Sequence, residues 1–134
     1  QAAILIEKLK IFDDEIAARQ RVADRYAQGL ADVVTVPMVA PFGNSTWAQY
    51  TIRLPAGTDR DAFAASLKAK GVPTAVYYVK SMHQQTAYRH YPAADGGLPV
   101  SEKLSTEVIS LPMHAYLDAP TQQRVIDAVR AALA

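Results

Sequence analysis

The opening stretch, QAAILIEKLKIFDDEIAARQRVADRYAQGL, constrains this chain more than any other. Apolar side chains at Ile4, Leu5, Leu9, Phe12, Ile16, Val22, Tyr26 and Leu30 recur mostly at steps of three and four, which predicts an amphipathic helix over residues 1–30. Gly29 is its expected terminator. At 1.5 Å per residue such a helix is about 45 Å long. That exceeds the diameter of a domain of 134 residues, so the helix is expected to reach beyond the domain it starts. The pattern is already under way at Gln1, which implies a piece of a longer protein. Glu7, Lys8, Lys10, Asp13, Asp14 and Arg21 form the solvated side.

The remainder reads as alternating short strands and helices. VVTVP (33–37) is a short strand closed by Pro37, and APFGNS (40–45) is a loop. TWAQYTIRL (46–54) has the clearest strand alternation. It assigns Ala48, Tyr50, Ile52 and Leu54 to the core, and Trp47, Gln49, Thr51 and Arg53 to the opposite face. Thr58 and Asp61 have capping-box spacing at the head of a helix over about 59–70, with Phe63 and Leu67 buried and Gly71 at its end. A strand around 74–78 follows Pro73, and residues 79–98 are irregular or short-helical with a turn at Asp95-Gly96-Gly97. Ser101 is the expected cap of a helix to about Val108, and ISLPM returns as a buried strand. Asp118 and Pro120 open a last helix with Val125, Ile126, Val129, Ala132 and Leu133 inward. Helix, strand, strand, helix, strand, helix, strand, helix predicts an α/β (α+β) domain, its helices packed on one face of a small sheet. No repeat or interdomain linker divides it, so 1–134 is read as one domain: the long helix 1–30 and a small α/β unit 31–134.

Composition excludes several functions. A net charge of +1 without a basic stripe argues against a nucleic-acid partner. No cysteine is present, which removes disulfides, thiolate nucleophiles and cysteine-based zinc sites and fits a reducing compartment. No apolar run approaches the roughly 20 residues of a membrane span, so no membrane partner is expected. His83, His90 and His114 are the only histidines, and none stands at a metal-ligand spacing from another His, Asp or Glu. There is no G-x-S-x-G, G-x-G-x-x-G or phosphate-binding loop. By residue chemistry alone the chain holds no self-contained catalytic centre and no metal site.

One segment stands out for binding, TAVYYVKSMHQQTAY (74–88). A β-type run passes directly into polar and aromatic groups, a common place for ligands in α/β proteins. Tyr77 and Tyr78 are adjacent on a strand, so one is expected in the core and the other outward. His83 follows in a loop as a candidate ligand contact, Lys80 reads as a solvated charge, and Trp47 reads as packing.

Four successive blocks together carry a family resemblance: the opening helix; STWAQYTIRL; GVPTAVYYVKSMHQQTAY; and GGLPVSEKLSTEVISLPMHAYL. In order and spacing they resemble the C-terminal domain of the DegT/DnrJ/EryC-type sugar aminotransferases. The variants AQYTIR and AVYY resemble the branch acting on UDP-linked N-acetyl-keto-glucuronate in lipopolysaccharide or O-antigen sugar synthesis. The resemblance implies a fold-type I aminotransferase dependent on pyridoxal phosphate (PLP), with a large cofactor domain, a small C-terminal domain and a homodimeric, cytoplasmic assembly. This chain would be the small domain, joined to the large one by its long helix.

The family's Schiff-base lysine, pyridine-nitrogen aspartate and most phosphate contacts lie in the large domain. The resemblance therefore implies no catalytic or cofactor-binding residue in this chain, and inactivity of the chain alone. It implies substrate contacts at Tyr77 and Tyr78, which match an H/Y-Y pair near the nucleotide-sugar pocket, and at His83, which matches the histidine of P-L-H. The sequence departs from the family at Val79 and Ser81, where prolines are usual. The implied reaction moves an amino group from an amino acid, glutamate, to a keto-sugar nucleotide. Two alternatives remain: a PLP- or pyridoxamine-phosphate-dependent sugar dehydratase of the same family, and a free-standing, non-enzymatic α/β binding module.

Overall fold

The computed structural model describes residues 1–134. Its elements are α1 (Ala2–Leu9), α2 (Phe12–Leu30), β1 (Tyr50–Arg53), α3 (Arg60–Ala69), a 3-10 turn (Met82–Gln84), α4 (Pro99–Glu107), β2 (Val108–Leu111) and α5 (Ala119–Leu133). The opening helix is broken. The amides of Lys10 and Ile11 bond three residues back, to Glu7 and Lys8, and Ile11 leaves helical geometry at φ −111°, ψ 6°. Two causes converge. Asp13, Asp14 and Glu15 form an acidic first turn, which favours a helix starting at Phe12 through the helix dipole. No residue of α1 is buried, and Ile4, Leu5, Ile6 and Leu9 are 59–69% exposed. A polar clasp spans the break instead. Lys8 Nζ donates to Glu15 Oε1 at 2.9 Å, and the Tyr116 hydroxyl donates to the same oxygen at 2.5 Å. The Tyr116 bond first, and then Lys8, hold the Glu15 carboxyl below its usual range.

The sheet is antiparallel, with Tyr50 opposite Leu111 and Ile52 opposite Ile109. Two of the four expected strands shrink to single bridges, Thr35 beside Arg53 and Ala75 beside Ser110, one on each flank. Tyr50, Ile52, Ile109 and Leu111 share a buried face. Against it pack Val22, Tyr26 and Leu30 of α2, Phe63 and Leu67 of α3, and Val125, Ile126 and Val129 of α5. The opposite face is polar: Thr51 Oγ1 meets Ser110 Oγ at 2.8 Å, and Arg53 Nε donates to Glu107 at 2.6 Å. Gln122, fully buried, ties α5 to α2 by donating to the Val22 carbonyl at 2.7 Å and accepting from Arg25 at 2.7 Å.

The expected alternation fails at the start of 46–54. Trp47 is buried and Ala48 exposed, because Trp47 adopts φ +49° and so leaves the strand path. Its ring packs on Tyr50 at 5.6 Å, and its indole N–H donates to Gln20 at 2.8 Å. These contacts offset the cost of a left-handed non-glycine backbone.

Two expected caps are also displaced. α3 is capped by Asp59, which accepts from the amides of Asp61 and Ala62 at 3.0 and 2.9 Å, and not by Thr58. α4 starts one turn earlier than expected, with Pro99 in its first turn and no side-chain cap, so Ser101 is inside it. Asp59→Ala should lower stability by about 1 kcal/mol while Thr58→Ala leaves it within about 0.5 kcal/mol. Urea midpoints of the two variants separate the assignments. Asp118 caps α5 as expected, accepting from the Thr121 amide at 2.7 Å. That bond holds its carboxyl below the usual range.

Candidate functional site

Segment 74–98 leaves the sheet almost at once. After the Ala75 bridge to Ser110 no regular strand forms, and the chain turns through Met82–Gln84 to Pro99. With α4 it borders an open cavity of about 650 Å³. One wall is Tyr78, Lys80, Ser81, Met82 and His83; a second is Tyr88, Tyr91 and Pro92; the third is Leu98, Ser101, Leu104, Ser105 and Val108. Three tyrosines and several aliphatic groups with a few polar atoms suit an organic ligand with a flat or apolar part.

His83 is held in place. Its Nε2 lies 2.8 Å from Oε1 of Glu102, in the first turn of α4. Ser81 is buried beside it, and its hydroxyl has no hydrogen-bond partner in the protein. Lys80 also borders the cavity and makes no ion pair. Tyr88 and Tyr91 pack against each other with ring centres 6.4 Å apart, which stiffens the second wall.

The structure brings Tyr78 and His83 to one cavity that Tyr77 does not line, although Tyr77 and Tyr78 share a smaller hollow. Tyr77 borders two smaller hollows, of about 220 and 120 Å³, beside Gln49 and Ser110 on the polar face of the sheet. The expectation that one tyrosine is core and the other outward is corrected: both are exposed, at 58% and 68%. Without a ladder past Ala75, the pleat that would send one of them inward is missing. Glu102, Tyr91 and Leu104 were not singled out from the sequence. The first of these has a legible signal, an acid three residues past Pro99 in the opening turn of a helix, but its partner lies 19 positions away and across a loop.

PLP needs a lysine placed for its aldehyde, a partner for the pyridine nitrogen and a cradle of donors for its phosphate. The cavity offers one lysine, Lys80, at its rim; its one nearby carboxylate, Glu102, is already engaged by His83. The residues of this chain do not fit that cofactor, and no step through it is assigned to them.

The statistical model of the DegT/DnrJ/EryC1/StrS aminotransferase family matches residues 1–130. The UDP-2-acetamido-2-deoxy-3-oxo-D-glucuronate aminotransferase of Pseudomonas aeruginosa is 47% identical over 119 residues, which are 88% of this chain and 32% of that protein. A dTDP-3-amino-3,4,6-trideoxy-alpha-D-glucose transaminase of Micromonospora megalomicea is 36% identical, over 97% of this chain and 36% of its own length. Among solved structures, a DegT DnrJ EryC1 StrS aminotransferase from Brucella abortus superposes with a TM-score of 0.92 at 49% identity, over 99% of this chain and 35% of that one. The chain thus spans about a third of the length of the relatives it matches.

Proposed function

Since the chain belongs to the DegT/DnrJ/EryC1/StrS aminotransferase family, we propose that it acts as the small domain of a PLP-dependent aminotransferase. The enzyme moves an amino group from an amino acid, glutamate, to a UDP-linked 3-keto-glucuronate, in the making of a surface polysaccharide such as the lipopolysaccharide O-antigen. The observation that supports the keto-sugar acceptor is the 47% identity, across 88% of the chain, to a protein named UDP-2-acetamido-2-deoxy-3-oxo-D-glucuronate aminotransferase. PLP, held by a separate large domain, supplies the carrier for the amino group when bound. The part of this chain is recognition: Tyr78 and His83 present an aromatic face and an imidazole to the nucleotide sugar from a shared cavity. Tyr77, on the neighbouring sheet face, contacts the same substrate from its other side or a partner copy in a homodimer. The apolar side of α1, which this domain leaves uncovered, meets the large domain.

The test uses the protein of the complete reading frame. With glutamate and the UDP-keto-glucuronate it should yield the 3-amino sugar, and it should show a visible imine band that borohydride abolishes. The 134 residues alone should show neither. A complete protein that binds no PLP and forms no amino sugar would overturn the assignment.

A further inference from the structure

Between Ala75 and Leu98 the chain makes hydrogen bonds almost entirely with itself. Its backbone bonds run from Gln84 to Ser81, Gln85 to Met82, Tyr88 and Arg89 to Gln85, Tyr91 to Tyr88, and Gly97 to Ala94. Its side-chain bonds from Gln85, to the Lys80 carbonyl and to the Met82 sulfur, also stay inside the segment. A single polar contact leaves residues 76–97 for the rest of the domain, His83 Nε2 to Glu102 Oε1 at 2.8 Å. We propose that Glu102 is a positioning residue for this cavity, acting through His83.

The chemistry follows from what each group can do. An ionised carboxylate only accepts, so the nitrogen facing it must carry the proton. The bond therefore selects the Nε2-protonated form of the neutral ring and leaves Nδ1 as its acceptor, without a partner in the protein. A ligand hydroxyl or amide N–H is the complementary group. The same bond fixes the loop to α4, and with it the spacing between the tyrosine walls and Leu104. No proline stiffens the chain between Pro73 and Pro92, so the pose of His83 rests on the carboxylate.

As regards turnover, this rests on the nucleotide-sugar reading above; the tautomer and the tether do not. The experiment uses the complete protein with 15N-labelled histidine, in three forms: wild type, Glu102→Ala and Glu102→Gln. At a pH where the ring is neutral, wild type should show His83 as a single Nε2-protonated tautomer. Glu102→Ala should admit the minor Nδ1-protonated form beside the Nε2 form that a free histidine ring already favours, and Glu102→Gln, whose amide oxygen still accepts, should restore the single form. In steady state Glu102→Ala should raise KM for the nucleotide sugar about tenfold, the scale of one lost charge-assisted hydrogen bond, with kcat and the amino donor's KM within about twofold. Glu102→Gln should recover most of that loss.

A His83 tautomer that Glu102→Ala leaves unchanged would overturn the proposal. So would a Glu102→Ala variant whose two KM values and melting temperature all worsen together, which marks a structural role only. If wild type forms no amino sugar, the function assigned above fails while the tautomer series still decides the tether.

Discussion

Tyr26→Ala is expected to cost the domain about 3–5 kcal/mol, the range for deleting a buried aromatic ring. For a chain of this size that is a large share of total stability. Tyr26 is fully buried, its ring lies 4.9 Å from that of Tyr50, and its hydroxyl donates to the Pro112 carbonyl at 2.9 Å. It is therefore the point at which α2, β1 and the segment after β2 meet. Two losses add in the alanine variant: ring burial, and a carbonyl left without its donor. Tyr26→Phe separates them and should cost only about 1 kcal/mol. Urea unfolding of the three forms, followed by far-ultraviolet circular dichroism, gives both numbers. A loss under about 1 kcal/mol for Tyr26→Ala would mean that α2 does not close this core.

Alkaline solution should also destabilise the domain, by roughly 2–3 kcal/mol from Tyr50 alone and by more with Tyr26. Burial, reinforced by the charge of Asp24, pushes the Tyr50 hydroxyl up to about 12, and burial raises Tyr26 further. In the unfolded chain a tyrosine gives up its proton near pH 10. Between pH 10 and 12 the unfolded chain thus binds fewer protons than the folded one, and stability falls as pH rises. Below pH 10 the contribution is constant. Tyr50→Phe is the informative control, because the Tyr50 hydroxyl is buried without a partner. Removing it should be neutral or slightly stabilising at pH 7 and should flatten the loss above pH 10. Midpoints measured from pH 8 to 12 would show this; parallel slopes for wild type and Tyr50→Phe would exclude Tyr50 as the titrating group.

The sequence was most readable where side-chain periodicity and burial coincide. Phe63 and Leu67 in α3, Val125, Ile126 and Val129 in α5, and Tyr50, Ile52 and Leu54 around β1 are all buried as their spacing requires. Readability ended where one local signal had to be weighed against another. A recurring apolar pattern spoke for one helix over 1–30, but three consecutive acids restart it at Phe12. Alternation spoke for Trp47 outward, but its ring is held by Gln20, 27 positions upstream. The candidate site shows the same division. That His83 and Tyr78 lie in a polar, aromatic segment is visible in the chain pattern, whereas the contact of Glu102 and the placement of Tyr77 depend on how a loop lies over α4. That is a tertiary fact which no window of neighbouring residues contains.

None of the 19 residues of the buried core lines the large cavity. The two sets draw on largely different parts of the chain: the core mainly on α2, the sheet, α3, α5 and their flanking segments, and the cavity on residues 78–108, meeting at β2, where Val108 lines the cavity. Substitutions that reshape the cavity are thus largely uncoupled from those that set the melting point. A lineage can exchange one cavity wall after another, and with it the molecules admitted, while the scaffold beneath stays unaltered. In this domain, novelty and durability are inherited on largely separate stretches of sequence.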